Sequence, residues 1–341
     1  MATPEHESNG YINKTPPPLF HLEASPRSQE RLRKKYPDQY SRIEKALDYI
    51  FEKHIPAIKQ QFERLYAQLR LGTSRLDVMF NRSKWIITEG RPPFSYNRYH
   101  DCFYVDVSSK YLQKFTGSPD EIDDTFLEPI FHEYVHAVMA TLVTIYPDRP
   151  SIGSELTYIA GGAGETTMYE DTETEEWREN ELYKLLEEII TIRLGLKMWA
   201  YYMRQIGKYD HVAKQITSDQ TKLFQELRSK KNLDNGTLGI YLLGPLFYQS
   251  LIEAFAEHLE TDTETVDQML VRAASRHQFW SPDMHSVFSK VLGNKLKNVL
   301  AHAKTPRQIL EIVKDAKLPD IDRALAKRWG AVLEKASVEG T

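Results

Sequence analysis

The segment His132-Glu133-Tyr134-Val135-His136 sets two imidazoles four residues apart with a carboxylate between them. On a helix, residues four apart lie about 40° apart around the axis, so both rings can point at one metal ion. Glu133 lies one step round, near enough to hold a water in an open coordination position. Zinc lowers the pKa of such a water towards about 7, and a neighbouring carboxylate can take its proton as it attacks a carbonyl. The flanking residues Ile130, Phe131, Ala137 and Val138 are uncharged. A buried metal helix requires this, because unpaired charges beside the ion would be desolvated. The expectation is one zinc ion on His132 and His136, with Glu133 as general base.

A catalytic zinc site needs a third protein ligand. Downstream candidates are Glu155, Glu165, Glu187, Glu188 and His211, and the extended H-E-x-x-H-x-x-G-x-x-H pattern is absent. Glu187 and Glu188 stand out because they lie on an amphipathic helix whose apolar stripe is Leu182, Leu185, Leu186, Ile189 and Leu196. Glu188 lies nearer that stripe and is the better placed to turn inward, with Glu187 as the fallback.

These residues resemble the gluzincins, zinc peptidases in which two helices supply H-E-x-x-H and a downstream glutamate. Glu187-Glu188-Ile189-Ile190-Thr191 is similar to the N-E-x-x-T form of the second motif, which implies Glu188 as ligand. The 51 residues between His136 and Glu188 exceed the thermolysin-like spacing, and Ile192 stands where that group carries an aspartate. Tyr241-Leu242-Leu243-Gly244 resembles the Y-x-x-G motif of aminopeptidase-N-like members, which implies that the Tyr241 hydroxyl donates to the oxyanion of the tetrahedral intermediate. The exopeptidase signature G-x-M-E-N is missing: the corresponding segment, Cys102 to Val107, carries Asp106 and no glutamate. The resemblance therefore implies a zincin-like fold and a peptide or protein substrate, with an endopeptidase favoured over an aminopeptidase. A reading from another class is a zincin-derived helical binding protein without catalysis, motivated by the acidic, aromatic-rich C-terminal half.

The elements that must position these residues follow an α+β order. Residues 1–25 are polar and Pro-rich and read as a flexible tail. Residues 26–72 carry a helical apolar period that Pro56 should break or kink. A zincin-like core is expected over 73–208 and a helical region completing the cleft over 209–341. Leu76 to Phe80, Trp85 to Ile87 and Cys102 to Val107 read as strands of a small sheet, with Gly90 to Pro93 and Tyr96-Asn97 in turns. Ser118-Pro119-Asp120-Glu121 predicts a capped helix start, and Pro129 predicts a second start close by. Beyond it no further strand is expected. Gly161 to Gly164 reads as a loop, Glu170 to Glu181 as the solvated start of a helix over 174–206, and Trp177, Trp199, Tyr201 and Tyr202 as helix-packing aromatics. His100-Asp101 is placed where it could support the site.

Whole-chain properties narrow the partners. The 341 residues are 41% hydrophobic and 27% charged with a net charge of −4, so no basic excess exists to neutralise a nucleic-acid backbone. The run Arg31 to Lys35 reads as a solvated helix face. No 18-residue apolar stretch suggests a membrane span, and the N-terminal residues lack an apolar leader. The single Cys102 permits no internal disulfide. A cytoplasmic setting is the expectation.

Overall fold

The computed structural model describes residues 25–97, 101–139, 156–161, 164–171, 176–182, 184–210, 212, 248–249, 251–275 and a few positions between 283 and 303. The architecture is mixed α+β and mostly helical. Three helices open it: α1 (Pro26–Lys35), α2 (Pro37–Lys53) and α3 (Ile55–Leu69). Each carries proline in its first turn, where the missing N–H has no intrahelical partner to lose. The break expected at Pro56 falls between Lys53 and Ile55, and Pro37 adds a second. Ser25 caps α1 by accepting from the Ser28 N–H at 3.2 Å, and Arg70 ends α3 in the left-handed region at φ 55°. In the basic run, Arg31 and Lys35 both pair with Glu89 on the surface.

Leu76 to Phe80 is not a strand. Leu76–Met79 forms a single helical turn, α4, which buries Leu76 and Met79 and turns Asp77 and Val78 outward. That is a three-residue burial period, where a strand would need period two. The small sheet consists of β1 (Trp85–Thr88), β2 (Phe94–Asn97) and β3 (Cys102–Asp106) in the order β1-β3-β2. β1 runs parallel to β3, while β2 runs antiparallel to it and forms an edge. Tyr96 and Asn97, expected in a turn, lie in β2 opposite Phe103 and Cys102.

One helix, α5 (Pro119–Met139), replaces the two expected around Pro129. Its start is the predicted cap: the Glu121 N–H donates to Ser118 Oγ at 3.4 Å, and the Glu121 carboxylate accepts from the N–H groups of Thr116 and Gly117. Pro129 sits inside the helix, so the Thr125 carbonyl four residues back has no helical donor. The Tyr111 hydroxyl lies 3.5 Å from that oxygen. Burial of Ile130, Phe131 and the residues beyond on nearly every side keeps the helix continuous.

A second correction concerns the stretch after α5. Leu156–Gly161 (β4), Gly164–Asp171 (β5) and Glu176–Leu182 (β6) form a three-stranded antiparallel meander. Of the glycine run, Gly161 ends β4 and pairs with Gly164 at the start of β5. Of the acidic run, Glu170 and Asp171 end β5 and Glu176 to Glu181 lie in β6, and α6 starts only at Lys184 and ends at Gln205. Thr166, Thr167, Tyr169 and Trp177 are strand-forming residues. Further on, Thr263–Ser275 is helix α7, as its period predicts. A continuous apolar core joins α1, α2, α3, the small sheet, α5, α6 and α7. Among the described residues no helix is long and apolar enough to cross a membrane.

Candidate metal centre

α5 and α6 pack directly against each other, and the site lies where they meet. The motif helix is oriented from behind by Tyr134, whose ring lies 4.2 Å from Phe80, 4.9 Å from Phe103 and 5.7 Å from Phe62 between ring centroids. The Trp85 Nε1–H donates to its hydroxyl at 3.2 Å. Tyr134 is fully buried. Anchoring its ring in this aromatic cluster leaves His132 and His136 to face α6.

Glu188, on the first turns of α6, meets both imidazoles. Its Oε1 is 3.3 Å from His132 Nε2, its Oε2 is 3.1 Å from His136 Nε2, and the two Nε2 atoms are 3.1 Å apart. A tetrahedral ion with donor bonds of about 2.05 Å, the zinc range, has donor–donor edges of about 3.3 Å. The two contacts end on different carboxylate oxygens, yet one donor atom from each residue lies within 4.8 Å of the others, so His132, His136 and Glu188 form a group of described residues that could hold one metal ion. Three protein donors leave a fourth tetrahedral position free. His132 is buried, whereas the side chains of His136 and Glu188 keep 18% and 26% of their exposure, so the group can be reached from solvent.

Glu187 takes a different place. It is 3% exposed, and its Oε1 lies 3.8 Å from Nδ1 of His136, the ring nitrogen turned away from the triangle. A carboxylate behind the distal nitrogen fixes the ring orientation of a ligating histidine. Ile189, Ile190 and the fully buried Thr191 and Ile192 press this part of α6 into the core. The apolar stripe runs on to Trp199 and Tyr202, Leu182 belongs to β6, and Tyr201 is exposed.

The electrostatics follow from crowding. Burial pushes the Glu133 carboxyl above the usual carboxylate range and the charge of Glu188 adds to this, against the pull of His132, His136 and the backbone of Tyr96 on β2. Burial also opposes charge on Glu188, but the two imidazoles outweigh it and hold that carboxyl well below its ordinary value. Burial lowers His136, yet Glu188, Glu187 and Glu133 together push it up to about 10. Three carboxylates around two imidazoles thus create a locus that attracts positive charge.

Tyr241, Glu155, His211 and His100 fall outside the described residues, and Glu165 is on β5 opposite Ala160 and Leu182. Asp101 serves the β2–β3 turn: it pairs with Arg75 and accepts from the Tyr96 hydroxyl at 2.8 Å. Asp106 is occupied at the exit of β3, accepting from the N–H groups of Arg91 at 2.9 Å and Ser108 at 2.7 Å.

Sequence reasoning missed a buried polar chain at the other end of the α5–α6 pair. His54, at the α2–α3 break, has Nε2 2.8 Å from Asp123 Oδ1 on α5 and Nδ1 2.8 Å from the Tyr202 hydroxyl on α6. Lys208, just past α6, donates to Asp123 Oδ2 at 2.7 Å and to Asp120 at 2.8 Å. The signal for it was an aspartate and a tyrosine within otherwise apolar helix faces. No protein-family profile, no curated protein and no solved structure matches this chain.

Proposed function

We propose that the chain is a zinc-dependent peptidase of the gluzincin type. The observation that carries this reading is the convergence of His132 Nε2, His136 Nε2 and the two oxygens of the Glu188 carboxylate at 3.1 to 3.3 Å, with Glu133 buried beside them. A small mixed sheet whose antiparallel edge strand packs on the H-E-x-x-H helix supports a zincin-like fold.

When bound, the zinc ion supplies Lewis acidity towards the scissile carbonyl and acidifies an adjacent water. His132, His136 and Glu188 hold it, and Glu187 orients the His136 ring from its Nδ1 side. Glu133 takes a proton from the attacking water on its carboxylate and returns it to the leaving nitrogen, a role helped by burial that raises its basicity. Tyr241 is assigned as oxyanion donor from its motif alone. The engagement of Asp106 with Arg91 and Ser108 supports an endopeptidase, because that carboxylate is not free to take a substrate amino terminus.

Metal analysis and a peptide-library digest test the reading together. Purified protein should hold about one equivalent of zinc, cleave peptides, and lose cleavage on chelation. Glu133→Gln should retain zinc and lose at least about 100-fold in rate, the scale of general-base catalysis. Less than half an equivalent of zinc sinks the ligand assignment. Bound zinc with no cleavage in either protein favours the non-catalytic binder.

A further inference from the structure

We propose that Gly195 is a spacer that sets the distance between α5 and α6 at the candidate ligands, and so tunes which metal ion they hold. The inference rests on the metal-site reading above and adds a positioning residue that contributes no ligand atom. Glycine is disfavoured against alanine within a helix, yet Gly195 lies in the middle of α6. Its backbone is ordinary helix, so the reason lies outside α6. A Cβ at this position would stand 3.2 Å from His132 Cα, 3.4 Å from His132 N and 3.7 Å from His132 Cβ. All three atoms belong to the first ligand residue of α5, and two are backbone that cannot swing aside.

Relief would need the helices to part by a few tenths of an ångström, towards the ordinary carbon contact of about 3.5–4.0 Å. The direction of that movement is constrained. Glu188, Gly195 and Tyr202 recur every seven residues and share one face of α6, with a drift of about 20° per step. At the Tyr202 end, the hydroxyl is tied through His54 to Asp123 on α5. On the outer side, Arg193 pairs with Asp267 of α7, which also accepts from the Tyr248 hydroxyl at 3.1 Å. α6 is thus held at its far end and backed along its middle, so a widening at Gly195 is passed in part to the turns that carry Glu188, themselves packed on the core. Metal–donor distances tolerate only about 0.2 Å, so such a widening strains a small ion more than a large one.

The test is chelator-competition titration of the full chain with zinc and with cadmium, the larger divalent ion of the same closed d shell. In wild type, zinc should bind tightly. Gly195→Ala should weaken zinc by about 10–100-fold, the scale of losses from residues behind the ligands. Cadmium should fall less, moving the zinc-to-cadmium preference by about tenfold. A merely structural role would weaken both ions alike and leave that ratio in place. Far-UV circular dichroism guards the fold. A variant that loses helix without metal and regains it with saturating cadmium supports local strain, and one that stays unfolded with both ions overturns it. Unchanged affinity and preference overturn the spacer while leaving the site intact. Wild-type protein that binds neither ion overturns the site, and the spacer with it.

Discussion

Replacing Asp123 by asparagine removes a central charge of the buried chain that ties α2–α3 to both helices of the candidate site. The Asp123 carboxylate is 2% exposed, with His54 Nε2 at 2.8 Å on one oxygen and Lys208 Nζ at 2.7 Å on the other. Removing one partner of a buried pair costs about 3–5 kcal/mol, because the remaining groups stay desolvated. Lys208 keeps 29% of its exposure and a second partner in Asp120, so it can recover part of its loss, whereas His54 cannot. The expected loss is therefore near the lower bound, about 3 kcal/mol at pH 7, from a total of about 5–15 kcal/mol for a folded domain. The pH dependence has a definite sign. Burial alone would raise Asp123, but the bonds from His54 and Lys208 outweigh it and hold the folded carboxyl below its ordinary range. Its stabilisation is complete above the unfolded value of about 3.9 and disappears as pH falls through the lower folded value. Urea unfolding of both proteins, followed by far-UV circular dichroism from pH 7 to pH 2.5, should show a wide gap that closes below about pH 4. A loss under about 1 kcal/mol at pH 7, or a gap that does not narrow with acid, would refute the reasoning.

Two further outcomes follow from the geometry around the site. Glu188→Gln should weaken zinc more than Glu187→Gln, for which a loss of about 10–100-fold is expected; the reverse order in a chelator competition would exchange their roles. Pro129→Ala should raise stability by about 1–2 kcal/mol by restoring the N–H that the Thr125 carbonyl lacks, and a lower melting temperature would show that the proline is needed in place.

Reading the chain in one dimension succeeded where the physical cause is local. His132, Glu133 and His136 were legible because a four-residue spacing on a helix determines shared facing without any partner. Glu188 was legible in part, since its apolar neighbours show which side of α6 is buried. β1 and β3 were visible from their β-branched and aromatic content, and the cap at Ser118 from its side-chain chemistry. The failures came where context overrode propensity. Glu170 to Glu181 is acidic enough to look like a helix start, yet Glu170, Asp171 and Glu176 to Glu181 are taken into a sheet by pairing between β5 and β6. Pro129 looks like a helix boundary, yet the burial around it carries α5 through.

The sequence by itself therefore singled out the candidate donors, two imidazoles and a glutamate with a second carboxylate beside them, because residue type and helical period are properties of short segments. Only the tertiary structure decided how these donors stand to one another. The separations of 3.1 to 3.3 Å, the different places of Glu188 and Glu187, and the approach of Gly195 to the His132 backbone all depend on where α6 crosses α5. Residues 52 positions apart along the chain meet only through that crossing, which the shared core and the Asp123–His54–Tyr202 chain hold in place.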